Sequence, residues 1–399
     1  MRFEDVIGQT ILISRLKELV DQNRLSHALL FIGREGSGAL PLALAMSTYI
    51  MEQGEQKKQA STPAGLFGES APSPAGASPS LQKANQYLHP DIHFSMPVIK
   101  RNTSSDSPAR SDDWITEWRT FLHEQPYGNL FDWLESIGAE NKQGKISAKE
   151  CEDIARKLYL KSFEGGSKIM IQWLPEMMGN EGNKLLKIIE EPPPDTVFLL
   201  VTENEDLLLP TIVSRCQTIR VPPIETEAIA SSLTTRFELN ADTALETARI
   251  AEGNYREALR LVQETGNDWQ GEIRGWLNIL LQNKTAEQVK WIDKTHGLGR
   301  EYQKQLLRRF LHLIEISIRL YALGDDGLRM AGAEKDFAVR LNKLCGVEQL
   351  EAIARELDKA VYYVERNANG KLLFMALGIR LFHIIKHHSV LVLEGDYPI

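Results

Sequence analysis

Residues 33–40, which read GREGSGAL, constrain the fold of this chain more than any other stretch. Glycines at 33, 36 and 38 have the spacing of a phosphate-binding loop. The apolar run Ala28-Leu29-Leu30-Phe31-Ile32 precedes them and a helix-like run over residues 42–50 follows. That is the strand–loop–helix setting such a loop requires. A working loop holds phosphate with backbone N–H groups at a helix N-terminus. A Lys reaches the outer phosphates and a hydroxyl holds Mg²⁺. Here Ala39 stands where the pattern wants Lys, and Leu40 where it wants Ser or Thr. A charged hydrogen bond contributes roughly 1.5–3 kcal/mol, so losing the Lys alone weakens nucleotide binding by about 10- to 100-fold. Two readings follow: an ordinary tight turn, or a nucleotide loop stripped of its side-chain chemistry.

A second place tests these readings independently. A nucleotide hydrolase of this class ends its next buried strand in an acidic pair that holds Mg²⁺ and polarises water. The candidate strand here, Lys168-Ile169-Met170-Ile171-Gln172-Trp173, runs into Leu174-Pro175 with no carboxylate at its tip. Glu176 lies beyond Pro175 and reads as loop. Both halves of a metal site are therefore missing, which favours the stripped loop over a chance turn.

The rest of the chain supplies the context. An amphipathic helix is expected before the loop, with Ile11, Leu12, Leu16, Leu19 and Val20 at helical spacing. Pro41 suits the first turn of the helix after it. Of the 21 residues from 60 to 80, 17 are Ala, Ser, Pro or Gly, which reads as a flexible insertion. Residues 91–98 alternate as a strand does. Residues 113–163 read as helical, with Trp114, Trp118, Phe121 and Leu122 on one face. A second helix there is capped by Ser147, with Glu150 three residues on. Residues 183–191 read as a helix stopped by Pro192-Pro193-Pro194. Thr196-Val197-Phe198-Leu199-Leu200-Val201 and residues 216–221 read as strands. Strands separated by helices imply a mostly parallel α/β sheet over residues 1–223. Residues 224–266 read as a small helical unit and 267–399 as a helical domain. Leu307, Leu311, Ile314, Ile318 and Tyr321 form one apolar stripe there; Leu372, Leu373, Leu377, Ile379 and Leu381 mark another.

Composition narrows the class. The formal net charge is −8, which disfavours independent, tight binding of duplex DNA. No apolar run is long enough to span a bilayer and no signal segment is seen, so a cytoplasmic location is expected. Cys151, Cys216 and Cys345 are too far apart for a close-spaced metal site, and His89 and His93 alone do not complete one. No metal and no nucleophile–base pair is expected.

Thr211-Ile212-Val213-Ser214-Arg215-Cys216 then resembles the Ser-Arg-Cys motif of the clamp-loader branch of the AAA+ proteins. The likeness extends through residues 184–193, 198–202 and 208–216, through residues 3–9 and 26–31, and through Gly253-Asn254-Tyr255-Arg256-Glu257-Ala258-Leu259. It is weaker at residues 365–369. Within that branch the chain is most similar to the delta-prime subunits of bacterial DNA polymerase III clamp loaders. That resemblance implies a P-loop NTPase-like α/β domain, a helical lid and an all-α collar domain. It implies a subunit that does not itself hydrolyse ATP. Arg215, flanked by Ser214 and Cys216, would be an arginine finger directed at the ATP site of a neighbouring gamma/tau subunit. Thr202 falls at the first sensor and Arg256 at the second. The implied partners are gamma/tau and delta subunits, with the sliding clamp and primed DNA reached through the complex. The family's four-cysteine zinc module has no cysteines here, so neither zinc nor ATP is expected as a cofactor. An ATPase with a variant site, charged by Arg34 or Lys100, and an AAA+ scaffold outside replication are the alternatives.

Overall fold

The chain forms five strands: β1 (Ala28–Ile32), β2 (Ile92–Ser95), β3 (Lys168–Trp173), β4 (Thr196–Thr202) and β5 (Gln217–Arg220). In the computed structural model, which describes residues 1–61, 78–101, 108–139, 142–164, 166–263, 269–324, 333–366 and 368–388, they form one parallel sheet. The order is β2-β3-β4-β1-β5. β1, β3 and β4 are covered on both faces, which is why they read as near-continuous apolar runs and not as alternation. β1 lies between β4 and β5, with Ile32 level with Thr202 on one side and Arg220 on the other. The loop at 33–40 therefore leaves the sheet at the carboxyl ends of three adjacent strands, where open α/β sheets place their ligands.

Several expected elements are cut shorter. The strand read over 91–98 stops at Ser95. The Met96 N–H turns to Ser111 Oγ (3.1 Å), Pro97 has no N–H to give, and Val98 makes only a single antiparallel bridge to Lys145. The helical stretch read over 113–163 is three helices, Ile115–Glu124, Leu130–Ser136 and Ala148–Tyr159. The first break falls at Gln125-Pro126. The chain restarts at Asn129, whose side chain caps the Asp132 N–H (3.0 Å) while the Asp132 carboxylate returns to the Asn129 N–H (3.0 Å). Ser147 caps the third helix through the Glu150 N–H (3.2 Å), but Glu150 does not close a capping box. Its carboxylate accepts the Ser111 N–H at 2.9 Å, and burial pushes its pKa up. Residues 183–191 are a 3-10 segment, Pro175–Leu185, kinked at Gly179, leading into a short α-helix, Leu186–Glu190. Of the expected insertion at 60–80, residues 62–77 lie outside the described residues.

The chain divides into two compact units, Met1–Glu264 and Thr265–Ile399. In the first, the helices Thr226–Phe237, Ala241–Ile250 and Tyr255–Gln263 gather a separate apolar cluster around Leu233, Ala244, Ala248 and Tyr255, and this cluster takes in Ile7 and Tyr127. The second unit is helical wherever it is described. Its core centres on Trp276, which stacks on Trp291 with ring centroids 4.6 Å apart and meets Phe310 and Phe374 edge-on. Leu307, Ile314, Leu373, Leu377 and Leu381 are buried there as expected. Tyr321, Leu372 and Ile379 are about half exposed, because a real helix face is narrower than the stripes read from spacing. Among the described residues no helix is long and apolar enough to cross a membrane.

Candidate functional site

The glycine loop makes the turn its spacing predicts. Gly33 N–H donates to Thr202 O (3.1 Å), Ser37 N–H to Arg34 O (3.0 Å), and Leu42 N–H to Gly38 O (3.0 Å) as the helix Ala39–Ser61 begins. Gly36 and Gly38 have φ of +69° and +91°. Both positions are also crowded. A Cβ on Gly36 would meet Asn254 Oδ1 at 1.8 Å, and one on Gly38 would meet the Tyr127 ring at 3.2 Å. Ala39 and Leu40 are buried in the main apolar cluster. They are core residues in this chain, so a lysine at 39 would have to bury its ammonium or displace its neighbours.

The helical cluster closes over the loop. Tyr255 N–H donates to Gly36 O (3.0 Å) and Gln9 Nε2 to Ser37 O (3.2 Å). Arg256, 7% exposed, donates from Nη1 to Glu35 Oε1 (3.1 Å) and grips the Asp132 carboxylate in bidentate fashion through Nε and Nη2. Asn254 Nδ2 donates to the same Glu35 oxygen (3.4 Å). Tyr127 is fixed in turn by its hydroxyl, which accepts the Ile7 N–H (2.8 Å), and by its ring against Tyr255. The cavity left at the loop, between Arg34, Ala39, Tyr127, Trp173 and Glu203, is about 30 Å³. That volume suits a water molecule; small-molecule sites run to about 300–1,000 Å³. Arg34 lines it and Lys100 does not.

Glu176, which reads as loop, lies in the 3-10 segment after β3 and reaches the end of β4. After β3, Leu174 takes φ of +52° and the chain turns back through Pro175. Glu176 then accepts from Thr202 Oγ1 (2.9 Å) and from the Glu203 N–H (3.2 Å). Burial raises its pKa, opposed by these hydrogen bonds. Thr202 thus ties Glu176 to the loop, since its carbonyl holds Gly33. The tip of β3 itself is Trp173, packed into an aromatic cluster with Trp118 (5.1 Å) and Phe121 (6.1 Å). Among the described residues no group of His, Cys, Asp and Glu could hold a metal ion. His89 contacts Ser80 (3.0 Å) and Glu164 (3.2 Å).

Ser214, Arg215 and Cys216 lie elsewhere. They follow the short helix Pro210–Val213 and lead into β5. The Arg215 side chain, 33% exposed, donates from Nε to Glu190 Oε2 (3.2 Å) and from Nη1 to Thr211 O (3.0 Å). Ser214 Oγ donates to Thr211 O (3.2 Å). Burial pushes the Cys216 thiol up to about 11, so it is a protonated packing group at neutral pH. β5 runs parallel to β1 with Gln217 level with Leu29. Arg215 is therefore at the amino ends of the strands, and the glycine loop is at their carboxyl ends. About 13 Å of strand separates the two levels. The structure brings Gly33, Gly36, Gly38, Ala39, Leu40, Thr202 and Arg256 together and leaves Ser214, Arg215 and Cys216 apart from them. Sequence reasoning missed Tyr127, Asp132, Glu35 and Glu176. Only the Asn129-x-x-Asp132 cap left a local signal.

Comparison with known proteins bears on this arrangement. The family described as "DNA polymerase III, delta subunit" matches residues 8–225. DNA polymerase III subunit delta' of Bacillus subtilis (strain 168) is 26% identical over 257 residues, 64% of this chain and 58% of that protein. Its counterpart in Escherichia coli (strain K12) is 28% identical over 138 residues, 34% of this chain and 40% of that one. The matched stretches thus span less than two thirds of these relatives' own lengths. A DNA polymerase III gamma subunit-related protein from Thermotoga maritima superposes with a TM-score of 0.38 at 16% identity, over 92% of this chain and 97% of the other.

Proposed function

The chain belongs to the DNA polymerase III delta-subunit family, within the clamp-loader branch of the AAA+ proteins, and on that footing we propose that it is a non-hydrolysing subunit of a clamp-loading complex. It assembles with gamma/tau and delta subunits, its helical second unit contributing to a shared collar. The complex places a sliding clamp on primed DNA. This chain's chemical contribution is Arg215, offered to the nucleotide of a neighbouring gamma/tau subunit.

The observation that carries this reading is the position of Arg215. Its guanidinium is at the amino ends of the strands and cannot reach its own glycine loop at the carboxyl ends. A role for it at a nucleotide is a role at another subunit's nucleotide. The closed loop supports the same division of labour. Ala39 and Leu40 are committed to the core, and Tyr127 and the Arg256 network fill the approach. Arg215 itself is held lightly, in an exposed pair with Glu190 that exchanges at little cost for a phosphate oxygen.

Mixing the purified chain with the gamma/tau and delta subunits of the same organism tests the assembly. One co-eluting complex is expected on size exclusion, and separate elution of this chain would contradict it.

A further inference from the structure

β5 is the last strand of the sheet, and its outer edge carries no partner strand among the described residues. Val221 N–H donates to Ile32 O (2.8 Å), so Gln217, Ile219 and Val221 turn their main-chain groups towards β1. Successive residues of a strand alternate in this respect, so the N–H and C=O groups of Thr218 and Arg220 point outward. Among the described residues nothing bonds to these outward main-chain groups. Beside the edge runs an open groove of about 720 Å³, whose other wall is the helix Thr10–Asp21 and the turn that follows it. Leu12 and Leu19, half-buried, line this groove next to the buried Leu16 and Ile219.

The charges of the groove are unbalanced. Arg15 and Arg24 are exposed, and among the described residues neither makes an ion pair or a side-chain hydrogen bond. Arg220 is paired with Glu205 (2.8 Å). Glu18 is the one carboxylate lining the groove among the described residues, and its Oε1 accepts from Gln22 Nε2 (2.6 Å). Charge on an edge strand protects it from chance pairing, but protection needs no leucine-lined trough beside it. The edge offers donors and acceptors in alternation at strand spacing. A polypeptide backbone matches that pattern; a phosphodiester chain, which presents acceptors alone, does not. A second copy of this chain pairing through the same edge would add two more unmatched arginines to one interface, and like charges across a strand pair are destabilising.

We propose that β5 accepts an added strand from a partner protein, an extended acidic segment that lies in this groove. Its main chain pairs with Thr218 and Arg220. The face it turns to the helix Thr10–Asp21 is aliphatic over Leu12 and Leu19 and carries carboxylates for Arg15 and Arg24. Main-chain bonds supply affinity for any extended chain, and the leucines and arginines select this one. This holds whether or not the chain acts in clamp loading.

Fluorescence anisotropy on the full-length chain tests it with a labelled peptide, Glu-Thr-Val-Thr-Val-Thr-Glu, one face of which reads Glu-Val-Val-Glu in either direction. Saturable binding is expected below about 1 mM peptide. Methylating the peptide's main-chain nitrogens is expected to abolish it, since the pairing donors are gone. Arg15→Glu/Arg24→Glu is expected to weaken binding about 10-fold or more and to accept instead the same peptide with lysine for glutamate. Thr218→Pro removes an outward donor and leaves the ladder to β1 in place. It is expected to weaken binding about 5-fold, while Thr218→Val leaves it unchanged. Absence of saturation, or binding indifferent to N-methylation or to the arginine reversal, would overturn the proposal. So would displacement of the peptide by oligo-dT, or self-association of the chain that Thr218→Pro abolishes, which would make a nucleic acid or a second copy the occupant.

Discussion

Replacing Arg256 by alanine is expected to destabilise the first unit by about 3–5 kcal/mol, the range for removing one partner of a buried ion pair. The substitution leaves the Asp132 and Glu35 carboxylates facing each other across a desolvated space, both at the mouth of the glycine loop. Asp132 also closes the capping box of the helix Leu130–Ser136, so its displacement loosens that helix as well. Arg256→Lys is expected to recover only part of the loss. An ammonium replaces the charge but not the bidentate geometry on Asp132. Denaturant unfolding gives the magnitude. Hydrogen exchange gives the location, and the helices Thr226–Phe237 to Tyr255–Gln263 should lose protection first. A variant with wild-type stability would mean that Arg256 is not what fastens the helical cluster over the loop.

Arg215→Ala is expected to do the opposite: little to the fold and much to the complex. Its partner Glu190 is 58% exposed, and an exposed pair contributes about 0–1 kcal/mol. An arginine finger supplied to a neighbouring site is worth about 10³–10⁵ in rate at that site. The reconstituted complex should therefore assemble normally and lose at least about 10-fold of its clamp-loading rate, any residual ATP turnover coming from sites that Arg215 does not serve. Arg215→Lys should fail almost as badly, because a point charge does not reproduce the planar fork on phosphate oxygens. ATPase and loading assays on the same preparation check this. Unchanged rates with either variant would count against the role.

The sequence was most informative where a signal is local. β1 and β3 run over the residues expected of them, because buried parallel strands are near-continuous apolar runs bounded by Gly, Pro or charge. The loop was legible for the same reason, since three glycines in six residues specify a turn. Element ends were less legible. Nothing near Ser95 announces that Met96 will turn to Ser111, and nothing in residues 183–191 announces that they begin within a 3-10 segment. The closure of the loop was not legible at all. Ile7 meets Tyr127 across 120 residues, and Arg256 meets Asp132 across 124. Such pairings leave no periodicity in either partner. The resemblance located Arg256 but not the carboxylates that hold it. Glu176 shows the same limit over a short distance. Read along the chain it follows a proline in a loop, and only the left-handed turn at Leu174 returns it to Thr202.

The retained glycines now have a reason besides the turn. Gly36 and Gly38 admit Asn254 and Tyr127, the residues that close the site. The helical cluster packs against the loop at these positions. The claim that it no longer receives nucleotide is tested most directly by calorimetric titration of Mg²⁺-ATP into the purified chain. No saturable heat is expected up to millimolar ATP, a free energy of about −4 kcal/mol or weaker. Stoichiometric binding at micromolar ATP would contradict the account.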